Sequence, residues 1–594
     1  MVKKSLQPTR NPPPESGRLG LLLLPWAFPA LMWGVALAEI ILSLRAEWFT
    51  NQAFYVHDMT LKVLSWGAFA TAALLAFVPP ARVAVERCFA AVDALSPRLR
   101  VFWLASATLA LFAQTSFIKY CQYRGFQLPM DTAATANIAY NFLHHGTFES
   151  SIFGLPSYYA VHFMPVIALF APLLLFCNSA LTLLFAQQAL VASMPAALFL
   201  MVRGAGGSAL AAAAAFWLGW TNSFFQDLTS TSIALQVALP AFFLWGMHLL
   251  ESRRIWAGVT ALVLMTLCIE QAPFTLFGLG LYLLFRPGRR LPALALCLGS
   301  ALLFGAEMKF ILAHPEAPLF RDWSMFAHLG PDPASALRSA LTHPWNFALK
   351  LLWPPAKLEP LWRMFYTTAF LGLLAPTRLL PWAVNYLPNF LSAPGSFYNL
   401  VILHYPAYVM GPLWWASAHG AARAAGFMQE RRWSGFLLAA ALLVSGFSLR
   451  GSTRILLPER SEQSFKDGPS VVAHVPPAAA VWISEFLSPA LSARSFIKVL
   501  PLRGEDPSFA MNLFVPDYIL LSKGFITLGD PTFRMRMAAF IRQEGYKKVV
   551  EAPSIYLLRH PRAPLAPPGG RPPAATLPQP QKGVDFAVQV TQSK

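Results

Sequence analysis

Residues 120–165 read YCQYRGFQLPMDTAATANIAYNFLHHGTFESSIFGLPSYYAVHFMP, a polar stretch between two hydrophobic spans, 101–118 and 161–176. It holds two acids, Asp131 and Glu149, and three histidines, His144, His145 and His162, among many aromatics. Asp131 follows Pro129-Met130 and heads a run in which Ala134, Ile138 and Phe142 fall along one side of a helix. Two roles suit a carboxylate at the start of a helix lying on a membrane surface. It caps free N–H groups and meets the helix dipole, or it acts as a general base on an acceptor hydroxyl at the interface. The residues alone leave both open. Glu149 reads as a solvated loop charge.

His144-His145 and His162 invite a metal reading, but their spacing matches no zinc pattern. The five cysteines are scattered in or beside apolar spans without paired spacing, so they read as small apolar residues. Histidines beside a bilayer more often meet headgroup phosphates or fill polar cavities. Asp227, in NSFFQDLTSTS, and Glu270, in CIEQAPF, form a second pair of acids. Glu270 interrupts an apolar stretch, where insertion of a carboxylate costs about 2.5–3.5 kcal/mol, so it must face a cavity or a partner. Glu307 and Lys309 stand two residues apart, need not pair on a helix, and read as the end of a span. His404-Tyr405 falls in a loop between spans. The sequence has no phosphate-cradling glycine loop, no nucleophile elbow and no His-Glu-x-x-His.

The elements that must position these groups are membrane spans. Of 594 residues 56% are hydrophobic and 12% charged, against about 25% charged in soluble domains. Apolar runs of roughly 18 residues recur along the chain. The net charge of +18 sits largely in short loops, which fits the positive-inside bias and not nucleic-acid binding. Residues 1–18 are basic and Pro-rich, a disordered cytoplasmic tail; 19–100 form a two-span addition, with spans near 21–44 and 61–78 flanking an external loop that holds His57 and Asp58. Residues 101–450 form the membrane core, with the Asp131 stretch outside. Its spans fall near 181–202, 208–221, 233–250, 255–285 (broken at Glu270-Gln271-Ala272-Pro273), 291–312, 364–377, 379–391, 407–418 and 434–449. The count then requires one segment between 161 and 221 to be re-entrant or half-length. Residues 222–232 and 313–345 read as outer loops. In 451–560, AAVWIS (479–484), YILLS (518–522), KKVVE (547–551) and SIYLLR (554–559) read as strands, with a helix over 532–544: a small extracytoplasmic α/β domain. Residues 561–594 are a Pro-rich disordered tail. The fold class expected is a polytopic α-helical membrane protein of about 11–13 spans with that small C-terminal domain.

Several blocks in order carry a resemblance: 131–146 with HHGTFESS closing the block, VHFMPVIALFAPL (161–173), FAHLGPDP…LTHPW (326–345) and NYLPNFLSAPGSFYNLVILHYPAYVMGPL (385–413), then the α/β domain. Over about 100–560 the chain resembles a family of bacterial multi-spanning proteins known only as a domain of unknown function. That family is itself similar to the glycosyltransferase C superfamily of lipid-phosphate-sugar-dependent transferases. The family has Asp-Phe-His-Pro where this chain has FQDLTSTS (225–232), and Glu-Asp where it has Glu270-Gln271. The resemblance implies an inner-membrane protein with a glycosyltransferase-C-like core and a polyprenyl-phosphate sugar as donor. The acceptor is a lipid, glycan or protein. It makes Asp131 the base, with inversion at the anomeric carbon, and Asp58 the rival base. Arg124, His162 and His404 become candidates to hold the donor phosphate, Glu270 to bind hydroxyls, with His145, Asp227 and Tyr405 as further substrate contacts. No cofactor is implied, a divalent cation being left open. A transporter or flippase of lipid-linked substrates, or a transferase fold kept as a scaffold, are the other classes the sequence allows.

Overall fold

The computed structural model describes residues 24–45, 52–126, 128, 130–152, 159, 162–230, 235–314, 323–352, 357–394, 396, 399, 401, 405–430, 434–450, 462–500, 515–522 and 531–563. In chain order the helices are α1 (Ala27–Arg45), α2 (Gln52–Phe77), α3 (Pro79–Ala94), α4 (Pro97–Arg124), α5 (Met130–His145), α6 (Ala180–Gly204), α7 (Ala209–Thr221) and α8 (Ser223–Ser230). They continue with α9 (Ala238–Glu251), α10 (Ile255–Thr266), α11 (Ala272–Leu284), α12 (Arg290–Leu312), α13 (Pro333–Thr342), α14 (Pro344–Leu352), α15 (Leu358–Thr367), α16 (Leu380–Leu391), α17 (Pro406–Glu430), α18 (Ser434–Arg450), α19 (Glu462–Val472) and α20 (Pro531–Gln543). Among the described residues α1, α2, α4, α6 and α12 are long and apolar enough to cross a membrane; α7, α10, α11 and stretches of α9 and α18 are shorter apolar helices. The chain is a polytopic helical membrane protein.

One continuous core joins these helices, with Trp103, Phe216, Phe243 and Trp415 fully buried in it. The outward faces of the long helices remain apolar, as Val63, Trp66, Phe102 and Leu302 show at 61–65% exposure. Such faces are suited to lipid. Of the segments between 161 and 221, both α7 and the one at 162–176 are too short for a full span, and the latter is the more broken. It has one α-turn, Ile167–Phe170, running into a 3₁₀ stretch, Ala171–Leu175, broken where Pro172 removes a donor. The expected break in 255–285 is also present, as the gap between α10 and α11, with Pro273 in the first turn of α11, where its missing N–H costs nothing.

Other expectations change. His57 and Asp58 lie on the first turns of α2, which begins earlier than the expected span, instead of in a loop. There His57 Nδ1 lies 2.7 Å from the buried Glu39 carboxylate, which also accepts from Gln114; Asp58 pairs with Lys62. Residues 223–229 are a wholly buried helical segment and not an outer loop, because Phe224, Phe225 and Leu228 anchor it in the core. The segment 313–345 contains α13 and leads into α14; Asp332 caps α13 by accepting from the Ser335 N–H at 2.7 Å, with Pro333 in the first turn. No continuous helix fills the span expected at 364–377; α15 lies across its start. It stops at Thr367 because Ala369 and Phe370 take positive φ, and 3₁₀ turns follow.

The C-terminal region is a five-stranded mixed sheet, ordered β2-β1-β3-β5-β4, of β1 (Val481–Ile483), β2 (Ile497–Val499), β3 (Tyr518–Ser522), β4 (Lys547–Glu551) and β5 (Ile555–Arg559). β1 pairs in parallel with β2 and β3, while β5 runs antiparallel to β3 and β4. All four expected strands are present, together with the short β2. Side chains alternate in direction along a strand. Trp482, Ile519 and Leu521 therefore pack on α20, with Trp482 stacked on Phe540, while Val481, Ile483, Tyr518 and Leu520 pack toward Phe126 and the α5 residues Ala133 and Ala134. The second face makes α5 the joint between sheet and bundle.

α11 and α16 touch so closely that a Cβ on Gly278 would lie 2.5 Å from Pro381 Cα. Gly278→Ala must push them apart, and overpacking of this kind costs about 1–3 kcal/mol. A lower melting temperature than the parent protein in detergent is expected; an unchanged one would show that the contact is not tight.

Candidate functional site

The break between α10 and α11 exposes backbone groups inside an apolar bundle, where they must find partners. The non-helical segment at 162–166 supplies them. Val166 N–H donates to the Leu267 carbonyl at 3.0 Å. Phe163 N–H donates to one oxygen of Glu270 at 3.0 Å, and His162 Nδ1 lies 2.9 Å from the other. Glu270 is thus nearly fully buried, yet both its oxygens are engaged. The partner that its apolar context demanded is His162.

Asp131 sits half-buried in the first turn of α5, as expected from the sequence. Its charge reaches both His162 and Tyr405, so the fold brings Asp131, His162, Glu270 and Tyr405 into one polar cluster. α5 itself does not lie on a membrane surface: residues 132–139 are buried all round, clamped between bundle and sheet. Asn137 donates to the Arg494 carbonyl at 2.6 Å, Ser151 Oγ donates to the Ile497 carbonyl, and Lys498 donates to the Ile152 carbonyl. His145 belongs to this clamp, its Nε2 lying 3.0 Å from Ser495 Oγ. Arg124 ends α4 and is exposed. His404 lies outside the described residues.

His162 is half-buried beside the Glu270 carboxylate, which it meets through Nδ1, and the charge of Asp131 also reaches it. Tyr405, whose hydroxyl is pushed up by burial and by Asp131, packs edge-on against Tyr408. The Tyr408 carbonyl accepts from Asn385 on α16. Gln271, next to Glu270, donates to the Asn385 carbonyl and to Asn389 Oδ1, at 2.9 and 3.1 Å. These contacts hold α16 and α17 against the break.

Asp227 lies elsewhere. It forms a buried ion pair with Arg363 at 2.8 Å, while Arg363 also donates to Ser223 and covers the Phe224 ring. At both places where the chain departs from the resembled family pattern, Gln271 and Asp227 are therefore engaged in contacts that hold helices together.

Glu307, which the sequence places only at the end of a span, lies on the buried face of α12. It is 3% exposed, neither of its oxygens has a hydrogen-bond partner among the described residues, and the charge of Glu270 reaches it. The available signal was the stripe Ala293, Ser300, Glu307, which recurs at seven-residue steps on α12 and is the buried face of that helix. One turn beyond, Ile311 packs on Phe163, which puts Glu307 behind the His162–Glu270 pair. With Glu307 behind it, the cluster contains three carboxylates, an imidazole and a phenol. Such a set suits proton transfer and recognition of hydroxyl groups. Among the described residues no group of three or more His, Cys, Asp or Glu is placed to hold a metal ion.

Fold and site together define a polytopic membrane protein whose polar cluster is closed at one end by an α/β domain. The chain belongs to the family described as predicted membrane protein DUF2079, which it matches over residues 131–551. No curated protein matches the sequence. Among solved structures, ArnT from Cupriavidus metallidurans bound to undecaprenyl phosphate is similar at 12% identity and a TM-score of 0.43, over 80% of this chain and 100% of that one. The apo form of the same protein is similar at 12% identity and a TM-score of 0.38, over 76% and 98%. The oligosaccharyltransferase of Archaeoglobus fulgidus, tethered to an acceptor peptide, is similar at 13% and 0.32, over 66% and 64%.

Two outcomes test the cluster. His162→Leu removes the side-chain partner of the buried Glu270 carboxylate and should lower the melting temperature by the equivalent of about 1–3 kcal/mol; an unchanged melting temperature would contradict the His162–Glu270 pairing. Glu307→Met removes a buried, unpaired carboxyl, which otherwise costs about 1–3 kcal/mol, so the variant should melt no lower than the parent. A marked drop would mean that Glu307 is a structural contact.

Proposed function

We propose that this protein is an integral-membrane glycosyltransferase that moves a sugar from a polyprenyl-phosphate donor to an extracytoplasmic acceptor, inverting the anomeric centre. The observation that carries the reading is the gathering of Asp131, His162, Glu270 and Tyr405, from segments up to 274 residues apart in sequence, beneath the α/β domain. The donor class follows the sequence resemblance over 100–560. The charge asymmetry of the loops supports a cell-membrane location with the α/β domain outside.

In this reading Asp131 takes the proton of the acceptor hydroxyl as its oxygen bonds to the anomeric carbon, and the bond from that carbon to the donor phosphate oxygen breaks on the opposite face. The polyprenyl phosphate leaves with the electron pair. Glu270 and Glu307 accept from sugar or acceptor hydroxyls, with His162 orienting Glu270. The first turn of α5, held by the sheet, keeps the Asp131 carboxylate in place while the hydroxyl approaches.

A second reading rests on the α10–α11 break. Interrupted helices with a polar group at the break also form transporter binding sites, so translocation of a lipid-linked substrate is the competing function.

The experiment uses the full chain in nanodiscs with radiolabelled polyprenyl-phosphate sugars and crude membrane acceptors. Label should leave the donor with the parent protein and fall by about 10²–10⁴-fold with Asp131→Asn. Equal release by both would move the base away from Asp131. Translocation without release, unaffected by Asp131→Asn, would establish the transporter.

A further inference from the structure

Lys357 stands at the N-terminal boundary of α15 and is fully buried. Its ammonium has two partners: the Phe390 carbonyl at 3.3 Å and His328 Nε2 at 3.2 Å. Neither carries a charge to offset it. An ammonium has three N–H groups and no acceptor, so one donor is unspent. Since Nε2 of His328 accepts from Lys357, the neutral ring carries its proton on Nδ1, and Nδ1 is buried without a hydrogen-bond partner among the described residues. Burial, Lys357 and Lys350 all hold the His328 imidazole below its ordinary value, which agrees with a neutral ring. No side chain caps the first turn of α15. Two unspent donors, an uncapped helix start and the nearby charge of Lys350 therefore meet at one place, and a buried cation lacking a counter-charge is costly.

The place adjoins the polar cluster. Phe390 follows Asn389, which accepts from Gln271, the neighbour of Glu270. Met325 and Ala393 join the His328 segment to the end of α16 through a backbone hydrogen bond. The helices that follow His328 expose Leu337, Leu341, Trp345 and Leu349 at four-residue steps, each 47–74% accessible. An apolar face with Trp on helices that carry basic residues fits the membrane interface.

We propose that Lys357 and His328, with Lys350 at the edge, bind the phosphate of a lipid phosphate. Lys357 supplies charge and one donor, His328 supplies Nδ1–H, and α13 and α14 lie against the lipid chain. This rests on the transferase reading only for the role of that lipid, as donor or leaving group.

The test measures affinity of the full-length protein in detergent for three probes: polyprenyl phosphate, the uncharged polyprenol and inorganic phosphate. Polyprenyl phosphate should bind, polyprenol and inorganic phosphate should bind at least about tenfold more weakly, and Lys357→Met should lose at least about tenfold of the lipid-phosphate affinity. His328→Gln, which leaves the lysine in place, should lose affinity in the same direction. Parent-like affinity in folded Lys357→Met overturns the site. Lys357-dependent binding of inorganic phosphate as tight as that of the lipid overturns the lipid part. Because the readout is binding, lipid-phosphate capture through Lys357 by a protein that transfers no sugar overturns the transferase reading and leaves this site standing. Sugar transfer with undiminished lipid affinity in Lys357→Met overturns this site alone.

Discussion

The arrangement depends on one constraint, the burial of Glu270 at a point where a membrane helix is interrupted. An ionised carboxylate there is tolerated only when its oxygens are engaged. His162 and the Phe163 N–H engage them, and Val166 satisfies a carbonyl freed by the break. This requirement pulls a non-helical strip of chain into the bundle. That strip explains why the segment after it has room for only a half-length helix, and it carries His162 to within electrostatic reach of Asp131.

A second layer of contacts makes the cluster rigid. α16 and α17 are tied to the break through Gln271, Asn385, Asn389 and Tyr408, and the close approach at Gly278 keeps α11 against α16. On the other side α5 is gripped by the sheet through Asn137, Ser151 and Lys498, all bonded to or through backbone carbonyls. Carbonyl acceptors fix position without adding charge. The α/β domain thus acts as a support for the first turn of α5, which carries Asp131.

Much of this was legible in the sequence because it follows from period and punctuation. The apolar runs, the break at Glu270-Gln271-Ala272-Pro273, the need for one half-length segment, four of the five strands and the helix after 531 all come from local pattern. The misjudged segments share a cause. Residues 223–230 and 333–342 are rich in polar and turn residues and read as parts of loops, but burial of Phe224, Phe225 and Leu228 and the Asp332 cap make them helices. Capping was visible in Asp-Pro-Ala-Ser; tertiary burial was not.

The sequence by itself determined the class of protein, the positions where acids stand in apolar surroundings and the strand-forming segments, because hydrophobic periodicity and the cost of a charge in lipid are local properties. It also pointed to Asp131 and Glu270 as residues that needed an explanation. Only the tertiary structure decided which groups meet: His162 with Glu270, Arg363 with Asp227, Glu307 behind the pair, and Lys357 with His328. Those partners lie between 29 and 136 residues apart or on separate helices. Pairing at such distances is set by how helix faces pack, and helix spacing within one segment carries no information about it.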